Sequence, residues 1–313
     1  MSELTVVFCT FNRCDRLPRL VAALRAQRCA VPFDILAVDN NSEDGTEQEL
    51  ARLAEASGGQ LRYVKERRQG IVYARNRAIE ECLNSDYMLF LDDDELPWDG
   101  FVAAGYHALA AEGADCVGGR VRVNFSPYER PKWLGDELLG FLAEVDYGAD
   151  AFWITDRSTP VWTANIGYRM ELFRSDPDLR FDARYNRKGM QIGGGEDAIM
   201  FRELLKRGYK IRYRPDMGVD HFVEEWRLRR RYFLKLHFRH GTRFGQYETQ
   251  VYSHSLLGVP PFMLHLAGKH WLKALAMLLK RERGVLRQAM SGAHELGCIW
   301  GRIQRWKDGL HGA

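Results

Sequence analysis

The sequence predicts an α/β protein with a mostly parallel central sheet flanked by helices, followed by a basic helical C-terminal region. Three observations predict it. Short apolar runs alternate with segments of helical periodicity through the first part of the chain, the pattern of a parallel sheet with right-handed crossovers. One such run, Tyr87-Met88-Leu89-Phe90-Leu91, leads straight into Asp92-Asp93-Asp94-Glu95, and open α/β sheets bind ligands at the C-terminal ends of their strands. The charge is divided as well. Residues 226–313 hold 16 Lys/Arg and 4 Asp/Glu, a balance of +12, while residues 1–225 hold the other 29 and 38, a balance of −9.

In chain order, residues 4–9 read as a first buried strand and Thr10-Phe11-Asn12-Arg13 as the loop after it. Asp15 is placed to cap a helix through Gln27, with Leu17, Leu20, Val21 and Leu24 at helical spacing. Residues 33–38 form a second strand that runs into Asp39-Asn40-Asn41-Ser42, and a helix follows to Ser57. A short strand at 61–64 comes next, then a helix from Gly70 to Leu83 carrying Ala74-Arg75-Asn76, then the strand at Tyr87. Beyond the acids the pattern changes. A helix is expected over 99–112, a strand over 115–123, a helix near 134–142, and a strand over 161–169. Residues 181–192 read as loop, Glu196 opens a helix to Arg207, and 209–213 and 217–221 read as two short strands.

Composition narrows the classes. A chain of 313 residues suits one large or two small domains, and 46% hydrophobic content supplies a real core. The six cysteines (Cys9, Cys14, Cys29, Cys82, Cys116, Cys298) show no zinc-like spacing, and several fall in apolar runs, which points to a reduced, cytosolic chain. Met1-Ser2-Glu3 leads directly into the first strand and leaves no room for a signal peptide. No apolar run approaches membrane-span length. Neither GxGxxG nor GxxxxGK[ST] follows a strand, which disfavours dinucleotide and P-loop sites.

Four adjacent carboxylates repel one another and call for a cation. Mg²⁺ and Mn²⁺ favour carboxylate oxygens and substrate phosphates. In an extended chain Asp92 and Asp94 face one way and Asp93 the other. A second site is Gly193-Gly194-Gly195-Glu196-Asp197. Two acids in a first helical turn suit the helix dipole, but capping alone does not require three glycines. Asp197 shares a helix face with Phe201 and Leu204, at the edge of the packed side, and is a candidate general base. His221, at the end of a short strand, is a candidate further metal ligand.

These motifs, in this order, resemble family 2 glycosyltransferases of the GT-A fold over residues 4–245, and the run from Asn165 through His221 to Tyr232 resembles bacterial exopolysaccharide members of succinoglycan type. The resemblance implies a catalytic domain at 1–225, with a nucleotide-binding half at 1–95 and an acceptor half at 96–225, and a basic extension at 226–313. It implies that Thr10, Phe11, Arg13, Asp39, Arg75, Asp92 and Asp93 bind a UDP-sugar, with Asp39 accepting from the uracil N–H. Asp92, Asp94 and His221 would hold Mn²⁺ or Mg²⁺, Asp197 would be the base of an inverting displacement, and Trp162, Asn165 and Glu196 would stand on the acceptor side. Two departures are Cys9 for the usual proline and Phe11 for the usual tyrosine. A sugar nucleotidyltransferase is the competing enzyme reading, but the Gly-rich, Arg-containing loop expected after its first strand is missing. A non-catalytic sugar-nucleotide-binding protein is the alternative outside enzymes. Nucleic acid is not expected as a partner, since the acids of the body repel phosphate without metal.

The basic extension carries a last expectation. Over 262–280, His265, Lys269, Lys273 and Lys280 form a narrow stripe beside a wide apolar arc, as in a helix lying in a membrane interface. Trp300 and Trp306 beside Arg302, Arg305 and Lys307 suit the headgroup level. The competing reading packs this helix on the body or on a second subunit. The resemblance adds a lipid-linked glycan acceptor at the inner face of the membrane, and anionic lipid would attract the +12 region.

Overall fold

Every residue of the first strand, β1 (Leu4–Thr10), is buried, because both its faces are covered, and the sheet is built outward from it. The structure is a computed structural model that describes residues 3–188 and 192–309. The chain divides into two units, Met1–Gly189 with Glu196–Val223, and Met190–Gly195 with Glu224–Ala313.

In the first unit, α1 (Leu17–Arg25), β2 (Phe33–Asp39), α2 (Thr46–Ala56), β3 (Leu61–Lys65), α3 (Ile71–Glu81) and β4 (Tyr87–Asp92) follow β1. The order β3-β2-β1-β4 is wholly parallel and is the expected alternation. After β4 come β5 (Glu95–Pro97), α4 (Phe101–Ala110), β6 (Cys116–Asn124), β7 (Phe152–Ile154), β8 (Asn165–Arg169), α5 (Glu171–Ser175), α6 (Glu196–Lys206) and β9 (Ile211–Phe222). They extend the order through β8-β6-β9-β5, with β7 on β9, into a nine-stranded mixed sheet, and among these added pairings only that of β6 with β9 is parallel. The chain crosses back over β1 between β3 and β4, so the C-terminal ends of β1, β2 and β4 meet at the switch point, the usual ligand crevice. Register places Thr10 beside Asp39 and Cys9 beside Asp92.

Several local expectations change. Asp15 does not cap α1: the helix starts at Leu17, its N-cap Arg16 gives no side-chain bond, and a proline in the first turn presets the backbone instead. The strand expected at 161–169 begins only at Asn165. The helix near 134–142 is a 3₁₀ helix, Asp136–Leu142. A further 3₁₀ turn, Ala183–Tyr185, lies in the loop at 181–192, of which 189–191 fall outside the described residues. The two strands at 209–213 and 217–221 are one strand, β9, carried past Pro215 by a register shift opposite Gly119 and Val121. Gly119 permits this, since a Cβ there would strike the Met217 carbonyl.

The second unit holds α7 (Arg230–Arg243), a π-helical turn Phe244–Glu248, α8 (Pro261–Leu279) and α9 (Val285–Lys307). Four glycines let α9 approach α7 and the following turn backbone to backbone. A Cβ on Gly241, Gly245, Gly297 or Gly301 would meet the carbonyl of His294, Cys298, Phe238 or Thr242 respectively. Met263, Ala267 and Ala274 are the narrow buried face of α8, which packs on α9. Phe262, Leu264, Leu272, Leu275, Leu278 and Leu279 stay exposed. Arg302 corrects one expectation. It is 4% exposed and donates to the Gly258 and Gln250 carbonyls and to Thr249, so it clamps the preceding loop rather than facing a headgroup layer. Among the described residues no helix is long and apolar enough to cross a membrane.

Candidate active site

The site begins with Arg75, which α3 carries to the ends of the central strands. Its guanidinium is 2% exposed and bridges three carboxylates: Nη1 lies 3.0 Å from Glu196 Oε1 and 2.8 Å from Asp197 Oδ1, and Nη2 lies 3.4 Å from Asp92 Oδ1. Burial disfavours its charge, but the fields of Asp197, Asp92 and Glu196 outweigh burial and raise its pKa further. The next residue, Asn76, exchanges two bonds of 2.9 Å with the backbone of Phe181, whose ring lies under Arg75. The expectation that Arg75 reaches a diphosphate is therefore qualified: both of its Nη atoms already face carboxylates.

The adjacent acids of α6 divide their roles. Glu196 is 2% exposed, and burial first, then Asp197, raises its pKa. It is a buried partner of Arg75, which corrects its placement on an acceptor surface. Asp197 is part-exposed at 26%. Its Oδ1 accepts from Arg75 and from the Thr163 hydroxyl, and its Oδ2 takes no hydrogen bond among the described residues. One oxygen is fixed and the other is available. Thr163 has no place in the sequence reading; the only signal was its position in the Trp162–Asn165 run.

Asn165 also corrects an expectation. It is 1% exposed, and its amide donates to the Arg120 and Met217 carbonyls, tying β8 to β6 and β9. It cannot face an acceptor. Trp162 is half-buried, with its ring against Phe201.

Asp92, Asp93 and Asp94 point to different partners. Desolvation outweighs the pull of Arg75 and raises Asp92. Asp93 lies by Thr10 and Arg13; desolvation, then the charge of Asp94, pushes it up to about 7. Asp94 Oδ1 is 3.3 Å from His221 Nδ1, because the β5–β9 pairing sets Glu95 opposite His221 and the Phe222 N–H donates to the Asp94 carbonyl. Glu95 is buried: its Oε2 accepts from the Asp92 N–H, its Oε1 is 3.6 Å from His221 Nδ1, and desolvation raises its pKa well above the usual range. Its buried role beside His221 was not legible, since the acidic run gave no reason to separate it from the other three. Among the described residues no three His, Cys, Asp or Glu side chains converge into a preformed metal cage.

At the ends of β1 and β2, Asp39 is fully buried. Its Oδ1 accepts from the Ser42 N–H, while Oδ2 has no partner among the described residues. Phe11 is half-buried beside it in sequence with Thr10. Asn40, also missed as a functional position, holds the neighbouring loop: it donates to the Glu66 and Arg68 carbonyls and accepts from the Gly70 N–H.

A parallel N-terminal half, an acidic strand end and a mixed second half define a GT-A fold. The family model for Glycosyl transferase family 2 matches residues 5–176, more than half of the chain, and the chain belongs to that family. Among curated proteins it is 25% identical over 247 residues to the succinoglycan biosynthesis protein ExoM of Rhizobium meliloti, covering 76% of this chain and 72% of that one. It is 26% identical over 122 residues to the glycosyltransferase AglE of Haloferax volcanii, a match that spans 39% of this chain and only 40% of AglE. Among solved structures it resembles the mannosyltransferase PcManGT of Pyrobaculum calidifontis in complex with GDP-Man and Mn²⁺, with a TM-score of 0.60 and 16% identity over 98% of this chain and 88% of that one. It also resembles GalNAc-T7 with UDP, GalNAc and Mn²⁺, with a TM-score of 0.53 and 15% identity over 71% of this chain and 44% of that one.

Proposed function

We propose that the protein is a metal-dependent inverting glycosyltransferase that moves a sugar from a UDP-sugar to a hydroxyl of a lipid-linked glycan, in bacterial surface or exopolysaccharide synthesis. The observation that carries the reading is the bridge made by Arg75, which holds the acidic strand end through Asp92 and the base through Asp197 on one guanidinium. Two machines that a single displacement needs together are thereby fixed against each other.

The residues fit a divalent cation. Asp94 and His221 offer an oxygen and a nitrogen side by side, with Asp92 near, and a site with few protein ligands suits an ion that takes the rest of its shell from substrate phosphates and water. Such a cation supplies stabilisation of the charge that develops on the nucleotide diphosphate leaving group. The other roles belong to the chain. The unpartnered Asp39 Oδ2 accepts from a base N–H such as that of uracil, and Phe11 packs on the ring. Asp197 Oδ2 takes the proton of the acceptor hydroxyl as that oxygen attacks, while Arg75 and Thr163 hold the carboxylate in line through Oδ1. No covalent intermediate is required.

The name of ExoM supports the exopolysaccharide setting. The exposed apolar face of α8 and the surplus of cations support a peripheral position on anionic lipid at the inner face of the membrane. A screen of UDP-sugars for chelator-sensitive UDP release tests the reading. Release that requires Mn²⁺ or Mg²⁺ and vanishes in Asp94→Ala supports it. Undiminished turnover in Asp94→Ala at saturating Mn²⁺ refutes it.

A further inference from the structure

The second unit contains a groove of about 610 Å³, within the range of sites that hold small molecules. All three long helices of that unit line it, with Leu234 and Phe238 from α7, Trp271 from α8, and Leu296 and Trp300 from α9. These linings are apolar. Two cations stand among them, Lys235 and Arg239, one turn apart on α7 and therefore on one face. Both are exposed, and neither side chain has a hydrogen bond or ion pair among the described residues. Ile192 completes the wall, and Gly193, at φ +114°, lies against Arg239. That wall belongs to the same chain segment that runs into Glu196 and Asp197.

An apolar trough alone is indifferent to its occupant, and a pair of solvated cations alone is an ordinary helix surface. Together they select a molecule with a hydrocarbon chain and an anionic head, since two free cations spaced by one turn can both donate to one phosphate. A free sugar phosphate would leave the aromatic lining wet. A bilayer surface meets convex faces such as that of α8, whereas a trough between three helices takes a single chain. Trp271 belongs both to the trough and to the exposed side of α8, so the groove is continuous with the face assigned to the membrane.

We infer that this groove binds the hydrocarbon chain and phosphate of the lipid that carries the glycan acceptor, with Lys235 and Arg239 on the phosphate and Phe238, Trp271 and Trp300 on the chain. The inference rests on the lipid-linked acceptor proposed above.

Its test uses full-length protein in chelator without donor, so that binding is read apart from transfer. Farnesyl phosphate, farnesol and inorganic phosphate are titrated by calorimetry and tryptophan fluorescence. Farnesyl phosphate is expected to saturate one site, farnesol to bind about tenfold or more weakly, the factor for a lost charged contact, and inorganic phosphate not to compete. The double variant Lys235→Glu/Arg239→Glu, on exposed side chains, is expected to lose farnesyl phosphate by the same factor or more while binding farnesol as before. Leu296→Glu is expected to lose both. Equal affinity of wild type and the double variant for farnesyl phosphate overturns the inference, as does competition by inorganic phosphate.

Sedimentation with phosphatidylglycerol vesicles separates one lipid from a bilayer. The double variant is expected to sediment nearly as wild type does, because most of the 16 cations of residues 226–313 remain. Parallel loss of vesicles and farnesyl phosphate makes the groove a bilayer contact and overturns the inference. Binding of farnesyl phosphate by a protein that turns over no UDP-sugar removes the proposed function and leaves the groove's ligand standing.

Discussion

A fully buried arginine that touches three carboxylates concentrates the chemistry of this site in a few oxygen atoms. Asp197 gives one oxygen to Arg75 and Thr163, and its other oxygen takes no hydrogen bond among the described residues. Asp197→Asn retains shape but cannot take a proton, and we expect turnover to fall by roughly 10²–10⁴-fold with UDP affinity little changed. Steady-state kinetics with a UDP-binding titration checks this; wild-type turnover would move the base elsewhere. Thr163→Val should lower turnover less and leave the donor KM unchanged, since it only positions the carboxylate. Asp93 gives a pH test. Its pKa rises from 3.8 to about 7, so the folded protein holds that proton more tightly than the unfolded chain does. The stabilisation is complete below the unfolded value and is lost as pH climbs through about 7. In chelator, the melting temperature of Asp93→Asn minus that of wild type should therefore grow as pH rises across this window. A difference independent of pH would contradict it.

Elements in the second unit are set by glycines of two kinds. Gly297 and Gly301 bring α9 against the carbonyls of Phe238 and Thr242, where no Cβ fits. Gly301→Ala should destabilise by about 1–3 kcal/mol, the range for overpacking. Gly268 sits in α8 with nothing within 4 Å of a built Cβ. Gly268→Ala should stabilise by about 1 kcal/mol through helix propensity and reduced freedom of the unfolded chain. Denaturant titration of both variants reads the opposite signs; a neutral Gly301→Ala would mean that the helices stand farther apart. The spacing Gly241-Gly245 and Gly297-Gly301 was visible in sequence, but nothing there said that the two pairs face the same helix contact.

For the whole molecule, the division of charge between residues 1–225 and 226–313 and the uncovered leucines of α8 make one prediction. The protein should sediment with vesicles containing anionic lipid, and added salt should weaken this as the screening length falls to about 8 Å near physiological strength. Leu272→Glu with Leu275→Glu, both on exposed positions, should abolish it without changing the melting temperature. Persistent sedimentation of that variant would assign the effect to charge alone.

The sequence by itself determined the strands β1, β2 and β4 and what stands at their ends, because central strands buried on both faces must be written as continuous apolar runs, and an acidic or polar stop is then conspicuous. It determined the family through the order of those stops. It did not separate Glu196 from Asp197, which are neighbours in the chain but turn about 100° apart on a helix, so that one is buried against Arg75 and the other is part-exposed. Nor did it show Asn165 turned inward, Pro215 carried inside a long strand, or Arg302 clamping a loop. Each of those depends on a partner 40 or more residues away. Sequence periodicity reports which face of an element is apolar. Only tertiary structure decides what covers that face, and in α8 it leaves most of the face bare.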